Sequence, residues 1–279
     1  MANKTDKTAP REARSQMAEV WHQFRRNKGA MVGSAVVLLI VFIALFSDVF
    51  LDYDTQVVGQ NLVDRLQWPS ANHWFGTDEL GRDIFFRVLY GTRFSCSVGL
   101  VAVTIGLLIG VTLGAIAGFY GGWIEELIMR STDILSAVPN MLLAIVIVSV
   151  LGQSIWNLML AVGITSVPEF VRITRAAVLT VRNQEYVEAS KAIGLTNRKI
   201  IFKHILPNCL SPIIVQATLR VASAIISASS LSFLGLGVPA PSPEWGALLS
   251  GGRKYIRDYS YMTLFPGLAI MITVLALNM

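Results

Sequence analysis

Long uncharged stretches alternate with short charged ones along the chain. Nineteen uncharged positions separate Lys28 from Asp48, thirty-one separate Arg93 from Glu125, and thirty-five separate Asp133 from Glu169. A helix needs about 20 apolar residues to cross a bilayer, and the stretches lack the alternation of membrane β-barrel strands, which run about ten residues each. The pattern predicts an all-α polytopic membrane protein with six spans. They are expected at roughly 29–50, 94–119, 134–151, 155–176, 209–232 and 261–279. Treated as one helix at 1.5 Å per residue, 134–168 would be about 52 Å long, too long for a hydrocarbon core of about 30 Å. A turn is therefore expected at Leu151-Gly152-Gln153-Ser154.

Six spans put both termini on one side, and the basic residues say which. The leader, the 120–133 loop and 172–204 together carry fifteen Lys/Arg, against seven on the opposite loops. Positive-inside asymmetry places the fifteen in the cytoplasm. Met17, Val20, Trp21 and Phe24 recur at helical spacing. They predict either an interfacial amphipathic helix within a 1–28 leader or an extension of the first span into water. The 28-residue leader has no small-x-small cleavage site after its apolar run, so the first span is expected to stay attached. Residues 51–93 form the outer loop, and 94–279 hold the remaining spans. Gly106, Gly110, Gly114 and Gly118 share one helix face, which predicts close packing against another helix.

Composition agrees with this assignment. The chain is 53% apolar and 15% charged, where a soluble domain carries about a quarter charged residues. The net charge of +5 suggests contacts to anionic lipid rather than nucleic acid, because the basic residues flank the spans. Cys96 and Cys209 lie at the ends of different spans and are expected to be free thiols. His22, His73 and His204 lie outside the spans without ligand spacing, so no metal site is expected. There is no phosphate loop and no H-E-x-x-H motif, and Gly152-Gln-Ser-Ile-Trp156 does not form a nucleophile elbow. An intramembrane enzyme is therefore disfavoured.

The segment Glu185–Pro207 reads as two short helices. Gly194 supplies a left-handed cap to the first, Thr196 or Asn197 caps the second, and the second ends before Pro207. Glu188, near the end of the first helix, and the small Ala189 and Ser190 suit docking into a groove on another protein; a solvated basic loop is the alternative. On the outer side, Asp78, Arg82 and Asp83 lie in Gly76-Thr-Asp-x-x-Gly-Arg-Asp83. That element can cap a short helix and pair Asp83 with an arginine. Pro239, Pro241 and Pro243 favour an extended segment before Trp245, either a lid or an ordered connector. Ionisable groups inside spans are costly and mark function or pairing. Arg220 with Gln216, Ser223 and Ser227 forms either a polar stripe lining a pathway or an ion pair with Glu169.

Glu188-Ala189-Ser190, Gly194 and Leu206-Pro207 resemble the "EAA" signature of bacterial ABC importer permeases, with Ser190 in place of the usual third alanine. Three further segments resemble the subfamily importing di- and oligopeptides, nickel and glutathione, and the likeness is nearest to the dipeptide "C" permease. They are His73-Trp-Phe-Gly-Thr-Asp-Glu-Leu-Gly-Arg-Asp83, His204-Ile-Leu-Pro-Asn208, and Ser232-Phe-Leu-Gly-Leu-Gly237 through Pro243-Glu-Trp-Gly246. The likeness runs from about Trp21 to the last residue. It implies a type I permease fold in the bacterial inner membrane and a heterodimer with a homologous permease. It also implies two ATP-binding subunits carrying ATP and Mg2+, an extracytoplasmic binding protein, and no cofactor in this chain. The 182–208 loop would then dock the ATPase through Glu188, Ala189, Ser190, Gly194, Leu206 and Pro207. Gln216, Arg220, Ser223 and Ser227 would be pathway candidates. Asp78, Arg82, Asp83 and Trp245 would be gate or binding-protein contacts. Short peptides are the expected substrates, with nickel or glutathione as the alternative. Members of the family continue into a Gly/Asp-rich tail, so a longer natural chain is expected past Met279.

Overall fold

The computed structural model describes Trp21 and residues 24–279; the leader helix built on Met17 and Val20, and His22, lie outside them. Among the described residues the chain is helices and loops, with one isolated bridge between Thr77 and Asp83 and no strand. The helices are α1 (Lys28–Phe50), α2 (Ile84–Tyr120), α3 (Gly122–Ala137), α4 (Asn140–Leu151) and α5 (Ile155–Val181). They continue with α6 (Glu185–Ala192), α7 (Leu210–Phe233), α8 (Trp245–Gly252) and α9 (Tyr261–Asn278). By length and composition four helical stretches can cross a membrane, or five if α3 and α4 form one broken span.

Where the boundaries depart from expectation, local chemistry explains the difference. The loop after α1, expected to run to 93, ends at Asp83, because the Asp83 carboxylate caps α2 by accepting from the Phe85 and Phe86 amides at 2.8 and 3.4 Å. The expected span 134–151 is instead two helices meeting at 86°. Pro139 drives Val138 into the extended region (φ −89°, ψ 129°) and stops α3 there. The turn at 151–154 forms as expected, with Gly152 at φ +87° and the Ser154 hydroxyl capping α5. The helix after Thr196 does not end before Pro207. A π segment, Ile200–Ile205, and a 3-10 segment, Leu206–Cys209, carry it into α7, so Asn197–Phe233 is one helical rod. Pro207 sits in the first turn of the 3-10 segment, directly after the π segment, a position that tolerates its missing N–H.

The glycine face organises the core. Gly106, Gly110, Gly114 and Gly118 are buried and lie against Ser166, Phe170, Thr174 and Val178 of α5. Gly163 of α5 returns the contact, facing the Ala102 carbonyl. The pairs advance together, so α2 and α5 run parallel with backbones in close approach, as small residues allow in lipid. Opposing contacts show α7 running antiparallel to α2, with Gly99 against Ile225 and Ala115 clustered with Cys209. Gly33 of α1 meets Ala276 and Met279 of α9, so the first and last described helices start and finish at the same end of the bundle.

Candidate functional site

At the Tyr120 end of the bundle, α6 is held by its apolar side. Val187, Ile200, Ile201 and Ile205 are buried against Ala115 of α2 and Val178 and Val181 of α5. The Lys191 ammonium lies 5.5 Å from the Phe119 ring, pinning the same contact from the rim. Gly194 adopts φ +79° and closes the helix, with Leu195 N–H donating to Ser190 O at 3.2 Å. No atom lies within 4 Å of where a Cβ at Gly194 would point, so only the backbone conformation demands glycine there.

The opposite face of α6 is open. Glu185, Glu188 and Ala189 are exposed, and Ile193 is 76% exposed at the tip. Two expectations change. Glu188 lies in the first turn of α6, not near its end, because the helix begins at Glu185. Ser190 faces its own chain, buried and donating to Tyr186 O at 2.7 Å, so its small size serves internal packing. Leu206 likewise packs against this cluster, and Pro207 is exposed.

In the middle of the bundle, Arg220 pairs with Glu169: Nε stands 2.8 Å from Oε2. The contact is an ion pair rather than an aligned hydrogen bond, since Arg220 Nε has no hydrogen-bond partner. Gln216 Nε2 donates to the same carboxylate oxygen at 3.0 Å. Of the two sequence alternatives for Arg220, the pairing is present. Ser223 and Ser227 are exposed on α7, and the Ser223 hydroxyl is turned back to Leu219 O. Sequence reasoning missed the continuation of this charged stripe along α5. Arg172 pairs with Asp133 at 3.0 Å and Arg175 with Glu125, tying α5 to α3. The three-residue spacing of Glu169, Arg172 and Arg175, neighbours on a helix face, was the available signal. Replacing either Glu169 or Arg220 with alanine is expected to lower the thermal midpoint of the purified assembly. The double variant should recover part of the loss, because neither charge is then left alone. Strictly additive losses would contradict a coupled pair.

At the Ile84 end, the 76–83 element is built inward. Asp78 is buried and accepts from the Leu80 and Arg82 amides and from Arg82 Nε at 2.7 Å. Asp83, expected to pair with an arginine, instead accepts from the His73 Nδ1–H at 2.8 Å while it caps α2. Trp245 is 2% exposed, so a direct surface contact with another protein is not available to it. Its indole donates to Val88 O at 2.9 Å. Glu244, which sequence reasoning did not single out, is 1% exposed and caps α8 through the Gly246 and Ala247 amides, both at 2.9 Å. Burial pushes its carboxyl above the usual range, against those hydrogen bonds. Among the described residues no group of His, Cys, Asp and Glu is arranged to hold a metal.

A family model described as binding-protein-dependent transport system inner membrane component matches residues 110–279. The chain belongs to this family. It is therefore a non-catalytic permease subunit. A second model, the N-terminal transmembrane domain of oligopeptide transport permease C, matches residues 15–69. The dipeptide transport system permease protein DppC of Alkalihalophilus pseudofirmus is 49% identical over 94% of this chain and 85% of its own length. The glutathione transport system permease protein GsiD of Pectobacterium atrosepticum is 42% identical over 96% of this permease and 89% of its own length. Among solved structures, an inward-facing MetNI methionine ABC transporter matches with TM-score 0.58 and 17% identity, covering 70% of this chain and 93% of that one. An amino acid ABC transporter matches with TM-score 0.53 and 14% identity, over 69% of this chain and 89% of that one. At such identities the likeness is one of fold, and it agrees with the helical bundle described above.

Proposed function

We propose that this permease forms half of the translocation pathway of an ATP-driven importer of short peptides, dipeptides foremost. The observation that carries the substrate is the 49% identity to a dipeptide permease across nearly the whole chain. A glutathione pathway is the second reading, favoured by the 42% identical GsiD relative. The partners are a homologous permease, two ATP-binding subunits carrying ATP and Mg2+, and an extracytoplasmic binding protein. In this reading the chain crosses the bacterial cytoplasmic membrane six times, with both ends inside. Support comes from the parallel run of α2 and α5, since two consecutive parallel helices require a return crossing, which α3 and α4 together provide. The excess of basic residues on 172–204 and the leader gives the orientation.

The open face of α6 is the seat for the ATPase, with Glu188, Ala189 and Gly194 at the contact. Gln216, Arg220, Ser223 and Ser227 lie along the pathway, and the Glu169–Arg220 pair is one that alternating access has to strain or break. A ligand drives such a change only through its different affinity for the two states.

Proteoliposomes holding the complete importer and its binding protein test the reading. ATP-dependent uptake of a dipeptide, exceeding that of glutathione and of nickel, is the expected result. Uptake of glutathione alone or nickel alone would overturn the dipeptide assignment. In cells producing the importer, a cysteine at Asn197 should react with an impermeant thiol reagent only in inside-out vesicles; labelling of intact cells would reverse the topology.

A further inference from the structure

A cavity of about 520 Å³ opens at the Ile84 end of the bundle, within the range of roughly 300–1,000 Å³ typical of small-ligand clefts. Its walls are the 78–87 segment, the connector after α7, and α8 with the turn that follows. Four cations line it, Arg82, Arg87, Arg253 and Lys254, against two acids, Asp78 and Glu79. Both acids are already engaged. Asp78 holds Arg82 at 2.7 Å, and Glu79 holds Lys254 at 2.6 Å and the Tyr255 hydroxyl at 2.8 Å. Two guanidinium groups, those of Arg87 and Arg253, remain without a hydrogen bond to either acid.

Arg87 is 3% exposed. It is anchored by donating from Nη1 to Val57 O at 3.0 Å and from Nη2 to Pro241 O at 3.4 Å. Its Nε has no hydrogen-bond partner, and the Asp78 oxygen stands 3.8 Å away. Arg253 lies over the Phe233 ring at 5.4 Å and has no acidic partner within 4.0 Å among the described residues. A buried donor without a partner carries a desolvation cost, and a planar guanidinium is matched best by a carboxylate. We infer that this cavity is a carboxylate subsite on the outer side of the permease, taking the C-terminal carboxylate of a short peptide before it enters the pathway. The peptide as the source rests on the proposed function; the carboxylate chemistry rests on the cavity. Arg253, exposed on the cavity wall where Arg87 is buried, makes no side-chain hydrogen bond among the described residues and is the residue on which the subsite can be tested.

The measurement is equilibrium binding of alanylalanine to the complete importer in nanodiscs, without binding protein. Alanylalanine amide serves as the neutral counterpart and acetate as the competitor. Wild type is expected to bind the dipeptide at least about tenfold more tightly than the amide, the discrimination of one charge-assisted hydrogen-bonded contact. Acetate should displace it. Arg253→Gln should remove that preference and Arg253→Lys should keep most of it. Equal binding of dipeptide and amide, or a preference that survives Arg253→Gln, would overturn the subsite. ATP-driven dipeptide uptake is measured on the same preparations. Uptake without an Arg253-dependent carboxylate preference sinks the subsite alone. Arg253-dependent acetate binding without peptide uptake sinks the peptide as its source.

Discussion

Replacing Gly110 with alanine is expected to prevent the permease from folding into a stable bundle. A Cβ there would press into the Phe170 Cβ and come within 2.9 Å of the Val167 carbonyl, so backbone as well as side chain stands in the way. Relief requires α2 and α5 to separate along the seam where Gly106, Gly110, Gly114 and Gly118 let them touch. Overpacking of this kind costs about 1–3 kcal/mol and more when the obstacle is backbone, a large fraction of the stability of a marginal fold. Gly114→Ala should behave alike, since its Cβ would lie 2.5 Å from the Val171 carbonyl. Gly267→Ala is the control. Its Cβ would meet only Leu249 Cδ2 at 3.9 Å, and alanine in a helix is favoured over glycine by roughly 0.5–1 kcal/mol. Yield of monodisperse protein and its thermal midpoint in detergent should fall sharply for the first two variants and hold or rise for the third. Wild-type behaviour of Gly110→Ala would show that the two helices are not in close contact.

Glu188→Lys is expected to release the ATPase or uncouple it, with the membrane bundle intact. The carboxylate is exposed in the first turn of α6 and has no ion-pair partner among the described residues, so reversing its charge costs the helix only its favourable end interaction, about 0.3–1 kcal/mol. Gly194→Val acts by a different route. It forces a β-branched residue into φ +79°, a left-handed backbone that costs about 1–2 kcal/mol, and so tilts or frays the end of α6. Both variants should insert, Glu188→Lys with a near-normal midpoint and Gly194→Val with a somewhat lowered one, while substrate-stimulated ATP hydrolysis drops at least about tenfold, the equivalent of 1.4 kcal/mol of lost coupling. Full stimulation in both would mean that α6 is a solvated connector.

The parts legible in the sequence were those written as periodic patterns. The uncharged runs located α1, α7 and α9 to within a residue or two, and the four-residue glycine spacing foretold a close helix seam on α2 without saying that α5 fills it. Gly194 announced its own left-handed cap, and the Glu169 partner was one of two alternatives for Arg220, the other being a polar stripe along a pathway. What escaped was decided by single polar groups acting over distance. The Asp83 cap lengthens α2 to Ile84, a position among charged residues where hydropathy gives no start signal. Pro139 broke a run whose apolar content alone read as continuous, while Pro207 did not break its helix because π and 3-10 turns absorb it. Trp245 reads as a surface contact until its indole is seen buried on Val88. Glu244 and Arg87 are charges that hydropathy reads as exposed, and only the fold buries them.

The central claim, that an ATP-binding subunit seats on α6, is tested most directly by a photo-crosslinking residue placed at Ala189. In membranes holding the complete importer it should capture the ATP-binding subunit, and the same group at Val63, exposed at the other end of the bundle, should not. No capture from Ala189, or capture of the ATP-binding subunit from Val63, would contradict the account.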